Sequence, residues 1–436
     1  MPDVLEQRGR RRRRSTKAHL RIATLNMRGY STMGNTTPEG KWLQINQLLR
    51  EKRIAVLALQ ETHLNEERVV ALNNLFSEVM EVVYSPDPSN ETGARGVAYA
   101  INKRFVKQPE YHLETVVPGR AILLDLKWSG TRRLKILNVY GPNQPRLNAE
   151  FWKDLSARPF TRGVDLLLGD FNVVEAPWDR IPERSDDERA TEELTELIES
   201  RTLTDGWRRM NANQRAYTYM QRGTGSQSRL DQIYARVALM QDADNWDILE
   251  SGLTTDHKLA LVDMADRQAP YHGKGRWAMP KHLLTDEKMV RTMKELGRDL
   301  NPQKAYIEFK KKLTLAARKR AKEKVPKMQR TIDRLREDVR ITLNPAPETE
   351  ESDEARTARE RHAAILQERL DDLEAKRFET ARRCVAARHR IQDEMMTKRW
   401  ASTMCGKHQR TKGRPGTQPY VHEQLKEDGG HRDETL

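Results

Sequence analysis

Short polar motifs follow several apolar runs in the first two thirds of this chain, and their side chains are those used in phosphate chemistry. Glu61 and Asp256 are carboxylates. Mg²⁺ usually takes one or two such hard oxygen ligands and keeps several waters. The motifs contain no cysteine and no dense histidine cluster, which disfavours zinc. We therefore expect Mg²⁺ as the cofactor, with Mn²⁺ as a substitute.

A second group of side chains could supply acid–base chemistry. Asp170 could take a proton from water, while the amide of Asn172, two residues later, orients that water or a phosphate. A nearby carboxylate such as Asp231 would hold the imidazole of His257 in its charged form. A charged histidine stabilises the negative charge that develops on a phosphate under attack.

Two further side chains, Tyr140 and Asn26, could donate hydrogen bonds to the same phosphate. The motifs that contain all these residues are Thr24-Leu-Asn26, Leu59-Gln-Glu61-Thr-His63, Asn138-Val-Tyr140-Gly-Pro142, Gly169-Asp170-Phe-Asn172, Ser228-Arg-Leu-Asp231 and Thr255-Asp256-His257. Each motif alone is equally typical of a turn or a packed strand end. Their joint occurrence, each at the end of a predicted strand, favours a functional site.

The elements that must position these motifs are short β-type runs mixed with helical patterns. Strands are predicted at 20–25, 54–59, 96–101, 121–128, 134–139, 164–168, 217–220, 230–234 and 259–263. Helical patterns cover 42–50, 149–157 and 188–201. Several strands follow one another without room for a helix, so we expect an α/β or α+β protein whose sheets are mostly antiparallel.

Changes in composition and periodicity along the chain predict five segments. Residues 1–17 form a basic arm, 18–265 the sheet domain, 266–280 a Pro- and Gly-containing linker, 281–405 a charged helical or coiled-coil extension, and 406–436 a tail. The extension should form a helical hairpin with a capacity for self-association. Its first seam is Val325, Met328, Ile332, Leu335, Val339 and Leu343, and the apolar side of its second helix, from about 355 to 404, is Ile365, Leu366, Leu370, Leu373, Phe378 and Ala381.

The charge of the chain lies at its two ends. The chain of 436 residues has a formal net charge of +14, of which residues 1–17 contribute +5, residues 281–436 contribute +10 and the middle −1. A basic excess is equally typical of a solvated surface and of a protein that binds a polyanion, here duplex DNA or RNA at the basic ends. The longest apolar run, 54–59, is too short to span a membrane. Two cysteines and the Arg10–Arg14 run are typical of an intracellular, nuclear protein.

The six motifs together resemble the endonuclease/exonuclease/phosphatase superfamily over about residues 19–265. The resemblance implies a four-layered α/β sandwich of two mostly antiparallel sheets. It implies that Glu61 is the principal metal ligand, with Asp256 and Asn26 in the metal shell, and that Tyr140 binds phosphate. It also implies that Asp170 activates water, that Asn172 orients it, and that Asp231 pairs with the catalytic His257.

Within that superfamily the chain looks most like the endonuclease domain of LINE-type non-LTR retrotransposons. Arg28 stands where abasic-site repair enzymes of the family have an acid, which disfavours that specialisation. The Tyr/Phe-X-Asp-Asp box of a reverse transcriptase does not occur, so we expect an element fragment. The resemblance implies that Thr218 steadies the edge of the site, and that a hairpin with Arg222 or Arg229 contacts the DNA minor groove.

The sequence therefore predicts a Mg²⁺-dependent endonuclease that nicks duplex DNA. Two alternatives remain open at this point. One is an abasic-site repair endonuclease or another phosphoesterase of the same superfamily, and the other is a catalytically inert relic that only binds nucleic acid.

Overall fold

A computed structural model gives the structure of the chain. It describes residues 19–30, 40–130, 132–159, 163–266, 279, 283–298, 305–323, 327–345 and 351–394. The predicted arm 1–17, nearly all of the predicted linker 266–280 and the predicted tail 406–436 lie outside these residues, so those assignments stay predictions.

Two six-stranded sheets form the centre of the molecule. The strands of the first are β1 (His19–Asn26), β2 (Val56–Gln60), β3 (Met80–Ser85), β4 (Val97–Asn102), β14 (Ala243–Leu249) and β15 (Leu259–Ala265), in the order β14-β15-β1-β2-β4-β3. The strands of the second are β5 (Tyr111–Val117), β6 (Ala121–Ser129), β7 (Arg132–Tyr140), β8 (Leu166–Asp170), β10 (Leu203–Asp205) and β13 (Asp231–Arg236), in the order β10-β13-β8-β7-β6-β5. In each sheet one pair is parallel, β1 with β2 and β7 with β8, and the other pairs are antiparallel.

A small third sheet and the helices surround these two sheets. The third sheet consists of β9 (Arg180–Ile181), β11 (Tyr219–Met220) and β12 (Gln227–Ser228), in the order β11-β12-β9. The helices are α1 (Gly40–Glu51), α2 (Glu66–Leu75), α3 (Pro145–Ala157), α4 (Glu188–Ser200), α5 (Gly206–Met210), α6 (Glu287–Gly297), α7 (Ala305–Glu323), α8 (Lys327–Leu343) and α9 (Asp353–Glu394). Within the described residues, none of them is long and apolar enough to cross a membrane.

The central strands are apolar on both faces because both faces are covered. In β2, Val56 and Ala58 join the core between the two sheets, whereas Leu57 and Leu59 join the core under α1 and α2. In β8 of the second sheet, Leu166 and Leu168 join the core between the two sheets, whereas Leu167 faces the core under α3 and α4. Alternation of this kind produces near-continuous apolar runs. The result is the predicted four-layered sandwich of helices, sheet, sheet and helices.

The sequence located the apolar elements and missed the polar ones. All nine predicted strands and all three predicted helices of the sheet domain are present, with ends shifted by a few residues. The strands that it missed are β3 and β5, with partly exposed polar residues, the short β9, β10 and β12, and β14. Such strands have no clean alternation, so their pairing partners decide their structure.

The predicted helical hairpin is confirmed as α8 and α9, but it packs on the sandwich. The described residues up to Thr380 form one compact unit. Ile365 was predicted on the apolar side of α9 and is 65% exposed, so that prediction is wrong. The buried face of α9 is Ala363, Ala364, Gln367, Leu370, Glu374 and Phe378. The predictions of Leu370 and Phe378 are confirmed, whereas the hydrophobicity pattern missed Gln367 and Glu374 because they are polar.

Candidate active site

The strand ends bring the predicted residues to one end of the sandwich. Because β1 and β2 run parallel, Asn26 and Glu61 end up side by side, with Asn26 in register with Gln60. Because β7 and β8 run parallel in the other sheet, Tyr140 is in register with Asp170, and antiparallel β13 places Asp231 opposite Asp170. Both sheets therefore contribute side chains to the same place.

One side-chain amide links the two halves of this site. The Nδ2 atom of Asn26 lies 2.9 Å from Oε1 of Glu61 and 2.8 Å from Oδ2 of Asp170, and it donates to both. The hydroxyl of Tyr140 donates to the same Glu61 oxygen at 2.9 Å. The carboxylates of Glu61 and Asp170 are therefore held within reach of one ligand, one at the edge of the site and one buried inside it.

A buried histidine–aspartate pair completes the cluster. Nδ1 of His257 lies 2.8 Å from Oδ2 of Asp231. Thr218, buried beneath them, accepts the backbone N–H of Asp231 on its Oγ1 at 2.9 Å. Potential ligand atoms of Asp170, Asp231 and His257 all lie within 4.8 Å of one another. The pair is therefore in direct electrostatic contact with the predicted base.

Burial and mutual repulsion shift the protonation of these groups. Burial raises the pKa of Asp170 to about 7, and the Asp231 carboxylate adds to the rise. Burial lowers the pKa of His257, but the charge and hydrogen bond of Asp231 and the charge of Asp170 outweigh it and raise that pKa to about 10. Burial, and then the Glu61 carboxylate, raises the pKa of Tyr140 far above its ordinary value. Near pH 7 His257 is therefore a cation and Tyr140 keeps its hydroxyl proton. Asp170 is a mixture of its protonated and ionised forms at that pH.

The backbone around the base is tightly constrained. Asn172 adopts a left-handed conformation with φ 53°, donates from its Nδ2 to the carbonyl of Gly141 at 2.9 Å, and donates its N–H to Oδ1 of Asp170 at 3.1 Å. A Cβ atom on Gly141 would lie 2.2 Å from the carbonyl oxygen of Phe171, so only glycine fits there. The spacing of Asp170 and Asn172 is thus fixed by a turn packed against the end of β7.

Sequence reasoning missed the polar network that supports the site. The amide of Gln60 donates to Oδ1 of Asn138 at 2.6 Å and to Oγ1 of Thr24 at 3.0 Å, which joins the two sheets beneath the active-site residues. Lys41 is buried, and its Nζ donates to the carbonyls of Arg28 and Gly29 at 3.1 and 3.2 Å. Burial, with help from Arg28, lowers the pKa of Lys41 to about 8. Gln60 and Asn138 stood inside recognised motifs, whereas nothing in the sequence pointed to Lys41.

Arg28 occupies the position next to the second predicted metal ligand. Its Nη1 lies 3.0 Å from Oδ2 of Asp256, and both side chains are partly exposed. The backbone N–H of Arg28 donates to Oδ1 of Asn26 at 2.9 Å. In this structure Asp256 is therefore paired with a cation from the chain itself. The metal-ligand role of Asp256 and Asn26 stays a prediction.

The other carboxyl groups of the site suit the binding of a metal ion. Asp170 and Asp231 lie beside the histidine cation, and the amide of Asn26 links Asp170 to a third carboxyl group, that of Glu61. The buried Oδ1 atom of Asp231 has no hydrogen-bond partner among the described residues. His257 is a poor ligand, because its Nδ1 is engaged with Asp231 and the ring is charged. The all-oxygen donors with excess negative charge fit Mg²⁺, with Glu61 as the best-placed carboxylate at the edge of the site.

Two of the three predicted DNA-contacting residues lie inside the protein. The Arg229 side chain is 2% exposed and forms ion pairs with Asp179 and Asp205 at 2.9 and 2.6 Å. Thr218 is fully buried, where it positions Asp231 as described above. DNA contact by either residue was therefore a wrong prediction, whereas the expectation that Thr218 steadies the site agrees with its position.

The predicted hairpin is present, and Arg222 lies at its tip. Strands β11 and β12 pair antiparallel around a loop in which Gly223 and Gly225 have φ 93° and 74°. The Arg222 side chain is 58% exposed, so its DNA contact stays a prediction. Tyr219 on β11 packs its ring 5.0 Å from the ring of His257, a site neighbour that sequence reasoning did not select.

Comparison with known proteins places the chain in a family. A model of the endonuclease/exonuclease/phosphatase family matches residues 23–257, and the chain belongs to that family. A 149 kDa uncharacterized protein of transposon TX1 from Xenopus laevis is 32% identical over 287 residues, which cover 64% of this chain and 20% of the relative. The chain thus spans about a fifth of the length of that relative.

Two solved structures are similar at low identity. One is the AP endonuclease LMAP from Leishmania major, 17% identical, with a TM-score of 0.49, covering 57% of this chain and 88% of its own. The other is the endonuclease domain of TRAS1, a telomere-specific non-LTR retrotransposon, 12% identical, with a TM-score of 0.43, covering 58% of this chain and 100% of its own.

Proposed function

We propose that this member of the endonuclease/exonuclease/phosphatase family is a Mg²⁺-dependent endonuclease that nicks one strand of duplex DNA. The observation that supports this function most strongly is the cluster at the strand ends. The amide of Asn26 connects Glu61 to Asp170, and Asp170 faces the charged His257–Asp231 pair. A base, a cation and a carboxylate for a metal ion thus lie within one small site, which is what hydrolysis of a phosphodiester requires.

Asp170 is the residue that accepts the proton of the attacking water. Its pKa of about 7 means that a large fraction is ionised at neutral pH, and that the ionised form is basic enough to take a proton. Asn26 holds one oxygen of its carboxylate, and the N–H of Asn172 holds the other. These two hydrogen bonds fix the direction from which a water can approach.

His257 and Tyr140 stabilise the charge that develops on the phosphate. With its pKa raised to about 10 by Asp231 against burial, His257 stays charged throughout the neutral range. Tyr140 keeps its hydroxyl proton and is therefore a hydrogen-bond donor. His257 is held at Nδ1 by Asp231 and keeps its Nε2–H for the phosphate, whereas Tyr140 has to turn its O–H from Glu61 toward the phosphate.

Glu61 is the residue that would hold Mg²⁺, with Asp256 as a second carboxylate. When bound, the ion would supply Lewis-acid stabilisation of the phosphate oxygens. The expected product has a 3′-hydroxyl, which a polymerase supplied elsewhere could extend. The 32% identity to a transposon protein supports a role in a mobile element. A nuclear location stays part of the proposal and rests on the Arg10–Arg14 run.

A plasmid-nicking assay tests the proposal. Supercoiled DNA is incubated with the full chain in Mg²⁺ or in EDTA, and Asp170→Asn is compared with Asp244→Asn, which removes an exposed carboxylate on β14. We expect nicking only in Mg²⁺, a loss of about 10²–10⁴-fold in Asp170→Asn, and normal activity in Asp244→Asn.

Parallel substrates separate the alternatives. Preference for an abasic duplex over supercoiled plasmid would replace this proposal with a repair function, and phosphate release from small esters would replace it with a phosphatase function. Salt-dependent DNA binding without Mg²⁺-dependent cleavage would identify an inert binding relic.

A further inference from the structure

A groove of about 620 Å³ adjoins the active site, and helix α9 forms one of its walls. The groove is lined by residues 219–222 of the β11–β12 hairpin, by residues 250–258 and by Arg28. Its remaining wall consists of Asp371, Asp372 and Ala375 of α9. His257 and Asp256 open onto this groove, so a substrate that reaches the site from this side must pass α9.

An apolar anchor fixes α9 in this place. Phe378 is buried in the core cluster of the first sheet, and its backbone carbonyl accepts a hydrogen bond from Nε2 of Gln47 at 3.1 Å. The loop beneath it contains Gly252, where a Cβ atom would lie 2.8 Å from the Phe378 ring. Near the hairpin, a Cβ atom on Gly225 would lie 3.4 Å from Ala364. The helix is thus seated against both ends of the groove.

A buried polar seam fixes α9 in addition. Arg336 of α8 lies 3.0 Å from Glu250, and it also pairs with Glu374 of α9. Gln367 of α9 donates to Glu250 at 3.4 Å. Glu250 and Glu374 are buried, and removal of one partner from such a network would leave an uncompensated charge. These buried contacts therefore hold α9 in place, and with it the acidic wall of the groove, which consists of Asp371 and Asp372.

The two acids of the wall face cations of the nuclease domain. Asp372 lies 3.9 Å from Nη2 of Arg222 at the tip of the hairpin. Asp371 and Lys258 line the same groove. Burial raises the pKa of Asp371 to about 6, against the charge of Lys258, which lowers it. Asp371 is therefore ionised at pH 7.5. Arg222 and Lys258 are cations suited to hold a DNA backbone beside His257.

We propose that Asp371 and Asp372 are specificity-determining residues, which occupy the places of DNA phosphates beside Arg222 and Lys258. This inference rests on the proposed nuclease function. DNA must displace these carboxylates from the two cations, and it meets their repulsion while it does so. Ordinary duplex is therefore bound weakly, and DNA that can deform to reach the site without lying along α9 is favoured.

The test compares two double variants of the full chain with equal charge change. Asp371→Asn/Asp372→Asn removes the acidic wall. Glu354→Gln/Glu368→Gln removes two exposed acids of the same helix that do not line the groove. Affinity for a duplex of about 20 base pairs is measured by fluorescence anisotropy in Ca²⁺ without Mg²⁺, from 50 to 300 mM KCl, after thermal melting has shown that all proteins are folded.

We expect the wall variant to bind about tenfold more tightly than wild type, and the control to bind like wild type. Two freed cations should also steepen the plot of log K against log salt by about 1.8, because each phosphate contact contributes about 0.9. In the wall variant, Arg222→Ala should weaken binding more than it does in wild type, where Asp372 already engages that arginine.

Three outcomes would overturn the inference. These are an unchanged affinity and salt slope in the wall variant, an equal gain in the control, and an equal effect of Arg222→Ala in both backgrounds. If wild type nicks plasmid normally in Mg²⁺ while one of these occurs, only the role of the wall is lost. If no protein binds or nicks DNA, the proposed function fails as well.

Discussion

Replacement of Arg229 separates a structural arginine from a DNA-binding one. Its guanidinium donates to both carboxylate oxygens of Asp179, at 3.0 and 2.9 Å, and to Asp205 at 2.6 Å. We expect Arg229→Ala to destabilise the fold and to leave the intrinsic DNA affinity of the folded protein unchanged. Arg222→Ala should do the opposite.

The contacts of Arg229 set the size of the effect. Removal of one partner of a buried ion pair costs about 3–5 kcal/mol, because the other charge is left unpaired. Asp179 would keep Arg208 at 2.5 Å, which places the cost toward the lower end of that range. Loss of the guanidinium from the Trp207 ring, 5.6 Å away, adds about 0.5–1 kcal/mol. We therefore expect a loss of about 3–4 kcal/mol in the free energy of unfolding.

Urea denaturation measures this loss, and the midpoint and the slope are both fitted. Arg222→Ala is the matched control, because its side chain is 58% exposed, and a change there should cost less than about 0.5 kcal/mol.

DNA affinity is then measured at a low temperature at which Arg229→Ala is still folded. The salt dependence of binding should match wild type for Arg229→Ala, and its slope should fall by at most about 0.9 for Arg222→Ala.

Two results would refute the reasoning about Arg229. A loss below about 1 kcal/mol would show that the pairing with Asp179 and Asp205 is not the buried network described above. A weakened and less salt-dependent binding by folded Arg229→Ala would show that the side chain reaches DNA after all.

Three further perturbations have defined outcomes. Phe378→Ala should lower the free energy of unfolding in urea by about 3–5 kcal/mol, because the ring fills the space beside Gly252. A loss below about 1 kcal/mol would mean that Phe378 does not anchor α9. Asp231→Asn should lower the pKa of His257 from about 10, because burial is then opposed only by the charges of Asp170 and Asp256. NMR titration of the ring in metal-free protein measures this change, and an unchanged pKa would show that Asp231 is not the cause. The pKa of Asp371 is raised in the folded state, so the free energy of unfolding should fall as this group ionises. The expected fall is ~1–3 kcal/mol as the pH rises from about 4 to 6. Asp371→Asn should flatten the plot of stability against pH over that window.

The sequence predicted the active-site cluster because each member ends or begins an apolar strand. Asn26, Tyr140 and Asp170 stand at the last residue of β1, β7 and β8, so correct strand assignment placed each of them at a strand end. Parallel pairing of β1 with β2 and of β7 with β8 followed from neither composition nor periodicity. The resemblance implied only a sandwich of two mostly antiparallel sheets, so these two parallel pairs were not predicted and are a finding of the structure.

The failures come from interactions between residues that are distant in the chain. Arg229 was predicted to contact DNA because it follows a hairpin loop with two glycines, but its partners Asp179 and Asp205 belong to other segments. Ile365 looked buried because it is apolar, whereas the face that packs includes Gln367 and Glu374. A local pattern cannot show that a charged residue has a buried partner.

The same polar seam explains why a helix so rich in charge stays on the sandwich. The contact of α8 and α9 with the sandwich is partly apolar, through Phe378 and Val339, and partly ionic, through Arg336, whereas Leu370 packs between the two helices. Phe378 fixes α9 beside Gly252 through packing, and the ion pairs add a second, directional constraint on its register. The ion pairs of Arg336 with Glu250 and Glu374 are satisfied in one register only, and that register places Asp371 and Asp372 on the groove. Arg336→Met keeps the volume but leaves buried Glu250 and Glu374 without their shared cation, so it should destabilise the seating of α9 and, like removal of the acidic wall, increase DNA affinity.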